Sequence, residues 1–260
     1  MNQQTKHSEL AAQIRAAYAG TPIAPIRPQL ANLDVDGAYA IQQENTAHWE
    51  MEGRRVVGSK IGLTSRAVQK QLGVDRPDFG VLFADMIVGE DEPVAAGRVL
   101  QPKIEAEVAF VLDRDIEVER PTIADVVRAV AYAIPALEIV GSRITNWDIG
   151  IVDTVADNAS SGLFVLGGPV RRLDGLDLRG LQMQMTRKDE VVSKGAGAAC
   201  LGNPLTAMTW LAGELARRGR PLRAGDVVLS GALGPMVPVS AGDVFEANIA
   251  GLGSVSARFS

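Results

Sequence analysis

A ten-residue apolar segment, Lys103–Leu112, contains two carboxylates, Glu105 and Glu107. Side chains two residues apart in a β-strand point to the same face, with their Cα atoms about 6.5 to 7 Å apart, so both carboxylates can reach one point. Burying two like charges without a cation between them is costly, because desolvation and repulsion both favour protonation. The pair therefore indicates a strand that binds a cation.

A third acid, Glu138, lies in a second apolar segment, 136–140, after a stretch long enough for a helix. Three carboxylates converging from two strands would form an oxygen site for Mg²⁺ or Mn²⁺, with coordination positions left for water or substrate. Alternatively, the glutamates point to solvent or pair with Lys103 and Arg143. We favour the metal site, because the same face stays apolar beyond Glu107, whereas a solvent face would be expected to remain polar.

Composition limits the classes of partner. The chain has 260 residues, of which 47% are hydrophobic, enough for one large domain or for one domain with an accessory segment. A net charge of -5 and dispersed basic residues argue against nucleic-acid binding, which needs clustered Lys and Arg. Because no apolar run approaches the roughly 18 residues of a membrane span, we expect no membrane partner. A single cysteine, Cys200, fits a cytoplasmic protein without disulfides.

Other catalytic signatures are weak. The two histidines, His7 and His48, are far in sequence from the acidic segments, which disfavours a His-based triad or a zinc site. The glycine-rich stretch 194–202 lacks the spacing of a nucleotide-binding loop, and we interpret it as a backbone turn. The polar stretch 153–162 suits equally a loop that offers hydroxyl and N–H groups to an anion and a solvated turn.

The acidic segments must be positioned by a mixed fold. Capping and breaking residues predict helices that run from Ser8 to Gly20 and over residues 36–52, 65–72, 121–134 and 204–218. From Arg55 onward, short strands broken by Gly, Pro and Asp dominate, without regular βα alternation. We therefore predict an α+β protein, a mixed β-roll or sandwich with an N-terminal helical segment at 1–54 and a main domain at 55–260.

Several segments closely resemble the 2-keto-4-pentenoate hydratases, which belong to the fumarylacetoacetate hydrolase superfamily. They are residues 57–65, 73–86, 101–107, 135–143, 153–161 and 251–259. The resemblance covers essentially the whole chain. It implies a fumarylacetoacetate-hydrolase-like catalytic domain at 55–260. It also implies metal-dependent hydration of 2-hydroxypenta-2,4-dienoate to 4-hydroxy-2-oxopentanoate in the meta-cleavage catabolism of aromatic compounds.

The resemblance also implies a cofactor and partners. Glu105, Glu107 and Glu138 match the ligands of Mg²⁺ or Mn²⁺, and the 1-carboxylate and 2-oxo oxygens of a 2-oxo or 2-hydroxy-dienoate would complete the coordination. The family suggests a homo-oligomer, a pentamer or decamer, that can associate with a pathway aldolase. Exposed sheet edges independently favour self-association.

The remaining assignments concern catalysis and substrate binding. Lys60 and Asp78 match the proton-transfer residues of the family, while Ser160 and Leu63 match positions that hold the substrate. The sequence alone favours a structural ion pair for Lys60 and a helix or turn cap for Asp78, and the resemblance reverses this preference.

Three alternative functions stay open. One is the decarboxylation of 4-oxalocrotonate, one is the hydration of 2-oxohept-4-ene-1,7-dioate, and one is a non-catalytic metal-binding partner subunit. The decarboxylases of the resembling family lack an acid at the position of Asp78, which favours a hydratase. The intact acidic trio together with Lys60 argues against an inactive subunit.

Overall fold

The computed structural model describes residues 3–31, 34–65, 69–70 and 74–260. Five α-helices lie wholly within these residues. They are α1 (Gln3–Ala17), α2 (Val35–Met51), α3 (Ile123–Ala129), α4 (Ile151–Ala156) and α5 (Pro204–Arg217). Most of the helix predicted at 65–72 lies outside the described residues. Among the described helices, none has both the length and the apolar character that a membrane crossing requires.

Within the described residues, thirteen strands form two sheets. They are β1 (Val56–Gly62), β2 (Asp78–Phe83), β3 (Ile87–Val88), β4 (Pro93–Val94), β5 (Lys103–Leu112), β6 (Val130–Val140), β7 (Leu163–Leu166), β8 (Gln182–Arg187), β9 (Glu190–Ala196), β10 (Val227–Leu229), β11 (Val237–Pro238), β12 (Val244–Ile249) and β13 (Gly253–Phe259). The eight-stranded sheet has the order β2-β1-β10-β5-β6-β7-β3, with β11 paired to β5, and the five-stranded sheet has the order β4-β13-β12-β8-β9. The predicted α+β class is confirmed.

Strands β5 and β6 form the centre of the larger sheet. Their antiparallel ladder runs from Lys103 opposite Val140 to Leu112 opposite Val130. The predicted helix at 121–134 is wrong over its last five residues, because α3 ends at Ala129 and β6 begins at once. Pairing with β5 along the whole strand outweighs the helical pattern, which is a weak local preference.

The N-terminal helices pack against the edge of the larger sheet and hold the elements next to the site. Gln42, buried on α2, donates one hydrogen bond to the carbonyl oxygen of Phe79 in β2 and one to that of Val155 in α4, both at 2.9 Å. The predicted cap at Ser8 is wrong: Ser8 lies inside α1, and its hydroxyl donates to Glu44 of α2 at 2.9 Å. The helical segment is therefore tied to the main domain through buried polar contacts.

Candidate metal centre and active site

The three acidic residues converge at one point of the larger sheet. Glu105 and Glu107 lie on the same face of β5, and Glu138 of β6 is the direct ladder partner of Glu105. All three side chains are buried, and one carboxylate oxygen from each lies within 4.8 Å of the others. The geometry follows from the period of two in β5 together with the register of β5 and β6.

The carboxylates have the chemistry of a divalent cation site. Glu107 Oε2 accepts a hydrogen bond from the backbone N–H of Gly231 at 2.7 Å. Among the described residues, Glu107 Oε1 and Glu138 Oε1 accept no hydrogen bond, and Glu138 Oε2 has only the Lys60 ammonium as a neighbour, at 3.2 Å. Buried polar atoms rarely stay without a partner, because the cost of desolvation is then not recovered. An all-oxygen set with free lone pairs suits a hard cation such as Mg²⁺, Mn²⁺ or Ca²⁺.

Without a cation, the cluster favours protonated acids. Burial, followed by repulsion from Glu138 and Glu105, raises the pKa of Glu107 well above its ordinary value. Burial also raises the pKa of Glu138 to about 7, although the nearby Lys60 ammonium opposes this change. A bound cation would favour the ionised carboxylates instead, so proton release would accompany its binding.

Lys60 brings a positive charge to the same cluster. Its Nζ lies 3.2 Å from Glu138 Oε2 and donates a hydrogen bond to the carbonyl oxygen of Ala159 at 3.1 Å. Burial lowers the pKa of Lys60, but attraction to the surrounding acids, Glu138 and Glu105 above all, more than offsets this, and the net pKa is raised. Lys60 is therefore a buried ammonium in the cation-free protein.

Asp78 faces Lys60 across the first two strands. It is the first residue of β2 and the ladder partner of Gly62 in β1, so it is a strand residue and not the turn residue of the alternative interpretation. Thr154 donates to its Oδ2 at 3.4 Å, and Oδ1 has no partner among the described residues. Burial raises the pKa of Asp78, while Lys60 and the Thr154 hydroxyl act in the opposite direction.

Ser160 lies in a strained turn beside these groups. The stretch 153–162, predicted as a loop or a turn, is instead helical over its first four residues, at the end of α4, and then forms a 3₁₀ turn over Asn158–Ser160. Asn158, Ala159 and Ser160 all have left-handed backbone angles, with φ of 54°, 51° and 56°. The Asn158 side chain fixes the turn by pairing with both backbone polar groups of Val81, at 2.7 and 2.9 Å. Such strain is typical of functional sites.

A cavity of about 120 Å³ joins these groups. Its polar lining consists of Lys60, Thr64, Ser65, Asp78, Glu105, Thr154 and Ser160. Its apolar side chains are those of Ile61, Leu63, Val140, Trp147, Ile149, Ala159, Ala232 and Met236. The structure thus brings the predicted Lys60, Asp78, Ser160, Leu63 and Glu105 to one cavity, with Glu107 and Glu138 clustered on Glu105.

Several lining residues could not be singled out from the sequence, and two of them, Thr154 and Trp147, contact other residues of the site. Thr154 connects two predicted residues, since its Oγ1 lies 3.4 Å from Asp78 Oδ2 and 3.2 Å from Ser160 Oγ. Its position in the polar stretch 153–162 was the only available signal. Trp147 had no such signal, because its position depends on contacts that are distant in sequence.

The alternative pairings for the glutamates are not observed. Arg143 instead forms a buried ion pair with Asp157, with Nε 2.5 Å from Oδ1, and its backbone N–H donates to Oδ2 at 2.9 Å. Lys103 places its Nζ 4.2 Å from the centre of the Trp147 ring. Among the described cations, Lys60 alone lies within ion-pair distance of the acidic trio.

Comparison with known proteins identifies the family. The profile of the fumarylacetoacetate (FAA) hydrolase C-terminal family matches residues 44–260. The chain belongs to the fumarylacetoacetate hydrolase family. It is 63% identical to 2-keto-4-pentenoate hydratase 2 of Dechloromonas aromatica, over 96% of this chain and 95% of that protein. It is 40% identical to the 2-hydroxyhexa-2,4-dienoate hydratase of Comamonas testosteroni, over 98% and 97% of the two chains.

A solved structure supports the same placement. The 4-oxalocrotonate decarboxylase of Pseudomonas putida G7, complexed with magnesium and adipate, superposes with a TM-score of 0.95 at 36% identity, covering 100% of this chain and 99% of that one. The fumarylacetoacetate-hydrolase-like fold predicted from the sequence is therefore confirmed. The resemblance to the 2-keto-4-pentenoate hydratases and the assignment to the hydro-lyases are confirmed by the curated relatives.

Proposed function

We propose that this family member converts 2-hydroxypenta-2,4-dienoate and water to 4-hydroxy-2-oxopentanoate with the aid of Mg²⁺ or Mn²⁺. The observation that carries the proposal is the cluster of three buried, partly unpartnered carboxylates on a cavity that also contains Lys60 and Asp78. The 63% identity to a 2-keto-4-pentenoate hydratase supports the choice of reaction. The substrate belongs to the meta-cleavage catabolism of aromatic compounds.

The acidic trio would hold the metal. Glu105, Glu107 and Glu138 supply three negative charges and oxygen atoms that need a partner. When bound, the metal ion supplies a Lewis acid that stabilises negative charge on the C2 oxygen of the substrate. A metal-bound relative, the magnesium complex of 4-oxalocrotonate decarboxylase, has the same fold at 36% identity.

The reaction requires several proton transfers, for which the chain offers two groups. The 2-hydroxyl proton must leave, C5 and C3 must each gain a proton, and the attacking water must lose one as its oxygen bonds to C4. Lys60 is an ammonium inside the site and can deliver a proton from Nζ to the carbon chain. Asp78 has a raised pKa and a carboxylate oxygen, Oδ1, without a partner, which suits the orientation and deprotonation of water.

Two further residues would position the substrate. The Ser160 hydroxyl has only Thr154 as a partner in the described structure, and it can donate a hydrogen bond to the substrate 1-carboxylate. Leu63 is a lining residue with a left-handed backbone, φ 55°, and offers an apolar contact to the carbon chain. Both residues share the cavity with Asp78, so they would place C4 beside it.

Decarboxylation of 4-oxalocrotonate is a second candidate, because the superposed relative carries out that reaction on the same fold. It would use the same acidic trio. An assay separates the two: purified protein with Mg²⁺ or Mn²⁺ is offered 2-hydroxypenta-2,4-dienoate and 4-oxalocrotonate separately, and the loss of ultraviolet absorbance and the products are followed. We expect 4-hydroxy-2-oxopentanoate from the first substrate and no CO₂ from the second. Full activity after exhaustive chelation would contradict the metal-dependent mechanism.

We also propose that the protein is a cytoplasmic homo-oligomer, a pentamer or decamer, that can bind a pathway aldolase. Strand β9 at the edge of the smaller sheet exposes Val191, and β12 of the same sheet exposes Val244, which a second copy could cover. Light scattering tests the assembly: a mass near 27.5 kDa at micromolar concentration would contradict it.

A further inference from the structure

We infer that Trp147 screens the ammonium of Lys103 from the active-site cavity, and that this screen selects dienoates with an uncharged group at C5 over those with a second carboxylate. The inference rests on the proposed function, because it concerns the far end of the proposed substrate. It assigns specificity to two residues that neither bind the metal nor transfer a proton.

Trp147 has a strained, left-handed backbone conformation that neighbouring residues stabilise. Asn146 and Trp147 both have left-handed backbone angles, φ 57° and 55°, which are rare for a bulky side chain. Gln101 stabilises this turn: its carbonyl accepts from Trp147 Nε1 at 2.9 Å, and its Oε1 accepts from the Asn146 N–H at 2.7 Å. Its Nε2 donates to the carbonyl oxygens of Ser142 and Ile144, at 2.8 and 2.7 Å. The indole is therefore fixed as part of the cavity wall.

In the described part of the cavity wall, this indole has no free cation beside it that could pair with a second carboxylate. Several apolar side chains line the cavity with Trp147, namely Leu63, Val140, Ile149, Ala232 and Met236. Of the described lining residues, Lys60 is the only basic one, and it already faces Glu138. A carboxylate buried against these side chains would lose its hydration without gaining a counter-ion. A methyl or ethyl group would fit the same wall.

Lys103 supplies the missing cation, at the face of the indole and outside the cavity lining. It is the first residue of β5, two residues before Glu105, so its side chain starts from the face of the strand that carries the acidic trio. Its Nζ lies 4.2 Å from the centre of the Trp147 ring, within the range of a cation–π contact, and Lys103 is not a lining residue. Among the described residues, Lys103 forms no ion pair, and Glu105 attracts its ammonium only from a longer distance. Removal of the indole would expose this ammonium to the cavity.

The test uses two substrates that differ at one end only. They are 2-hydroxyhepta-2,4-dienoate, which ends in an ethyl group at C5, and 2-hydroxyhepta-2,4-diene-1,7-dioate, which has a carboxymethyl group there. We expect the wild type to prefer the first by about 10²-fold or more in kcat/KM. Trp147→Ala should lower this preference by about tenfold or more, because Lys103 can then pair with the carboxylate. The double variant Trp147→Ala/Lys103→Met should regain the wild-type preference.

Other variants keep the outcome interpretable. Trp147→Phe retains an aromatic ring between Lys103 and the cavity and should keep the wild-type preference. Trp210→Ala is the matched control, because Trp210 lies on α5 and does not line the cavity, and it should also keep that preference. If Trp147→Ala does not fold, Trp147→Leu takes its place in the same assay. We then expect a smaller loss of the preference for the substrate with the ethyl group.

Two results would overturn the inference. One is an unchanged preference in the folded Trp147 variants, and the other is a loss of preference that persists in the double variant. Failure of the wild type to hydrate either heptadienoate or 2-hydroxypenta-2,4-dienoate would instead contradict the proposed function.

Discussion

Lys60 Nζ and Glu138 Oε2 lie 3.2 Å apart although three strand spacings separate their strands in the order β1-β10-β5-β6. In a flat sheet, the backbones of β1 and β6 would lie about 14 Å apart. Two side chains that stand perpendicular to such a sheet could not come within 3.2 Å of each other. The larger sheet must therefore curl strongly here. The curl places the charge of β1 next to the acids of β5 and β6, so the site depends on the shape of the whole sheet.

We predict that Glu107→Gln nearly abolishes turnover while the fold stays intact. The change removes one negative charge from the proposed metal ligands, and the amide oxygen can still accept the hydrogen bond from Gly231. The metal-free variant should melt no lower than the wild type, because a buried acid with a raised pKa has been replaced by a neutral group. Calorimetric titration with Mn²⁺ should show binding at least about 10-fold weaker.

Glu246→Gln is the matched control for this change, since Glu246 is an exposed residue of β12 in the smaller sheet, outside the acidic cluster. It should leave Mn²⁺ affinity and turnover unchanged. Normal turnover of Glu107→Gln would remove Glu107 from the metal site. A large loss of melting temperature without metal would instead indicate a structural role.

The metal-free protein should lose stability as the pH rises from 4.5 to about 7. An acid whose pKa is higher in the folded than in the unfolded state binds more protons when folded, so the free energy of unfolding falls as pH rises between the two values. For Glu138 this window extends from its ordinary value of 4.5 to about 7, and Glu107 acts in the same direction. Each kcal/mol lost corresponds to about 2 to 4 °C in Tm.

The measurement is Tm against pH, in chelator and in saturating Mg²⁺ or Mn²⁺. The metal should reverse the trend, because it binds the ionised carboxylates and its affinity rises with pH. Glu138→Gln should flatten the profile in chelator. A Tm that rises with pH in chelator would show that the acids are not held protonated by burial.

The acidic cluster of Glu105, Glu107 and Glu138 could be predicted from the sequence because its signals are local. Glu105 and Glu107 share a face through the period of two in a strand, and the apolar context of Glu138 marked a second buried strand. Their meeting depended only on the pairing of neighbouring segments, which is the common arrangement.

The remaining parts of the site depend on long-range contacts. Trp147 reaches the cavity through a left-handed turn held by Gln101, 46 residues earlier in the chain. Ser160 lies in a turn fixed by contacts of Asn158 with Val81, 77 residues away. No local pattern encodes either contact. The same reason explains the wrong helix at 130–134, where pairing with β5 decides the structure.

Gly80→Ala should reduce both activity and stability by displacing the turn that carries Ser160. Gly80 is the ladder partner of Lys60, and an added Cβ would lie 2.3 Å from the carbonyl oxygen of Asn158 and 2.6 Å from Ser161 Oγ. The φ angle of Gly80 lies outside the left-handed region, so the expected loss of stability comes from the steric clash of the added Cβ. We expect a loss of about 1 to 3 kcal/mol in the free energy of unfolding, measured with urea, and a raised KM for the dienoate.

The matched control is Gly89→Ala, where the new Cβ would meet only the Cβ of Glu92, at an ordinary 3.8 Å. Its stability should change by less than about 0.5 kcal/mol. If Gly80→Ala behaves like this control, then the turn tolerates displacement and its left-handed geometry is not needed for substrate binding.

Asp78→Asn tests the proposed proton transfer most directly. The amide keeps the size of the side chain and can still accept from Thr154, but it cannot take a proton from water. We expect kcat to fall by about 10² to 10⁴, with a modest change in KM and an unchanged affinity for Mn²⁺. The Tm should hold or rise, because burial raises the pKa of the acid that is removed. Steady-state kinetics and thermal unfolding on the same preparation supply both quantities.

Asp75→Asn provides the control, since this acid precedes Asp78 by three residues and its side chain is 84% exposed. It should change neither kcat nor Tm. Near-normal kcat in Asp78→Asn would remove Asp78 from the mechanism and leave Lys60 as the proton-transfer residue. If kcat falls while KM rises in parallel with a lower Tm, Asp78 acts by holding β2 against α4 through Thr154. A fall in kcat alone, with Tm preserved, is the result expected if Asp78 orients or deprotonates the attacking water.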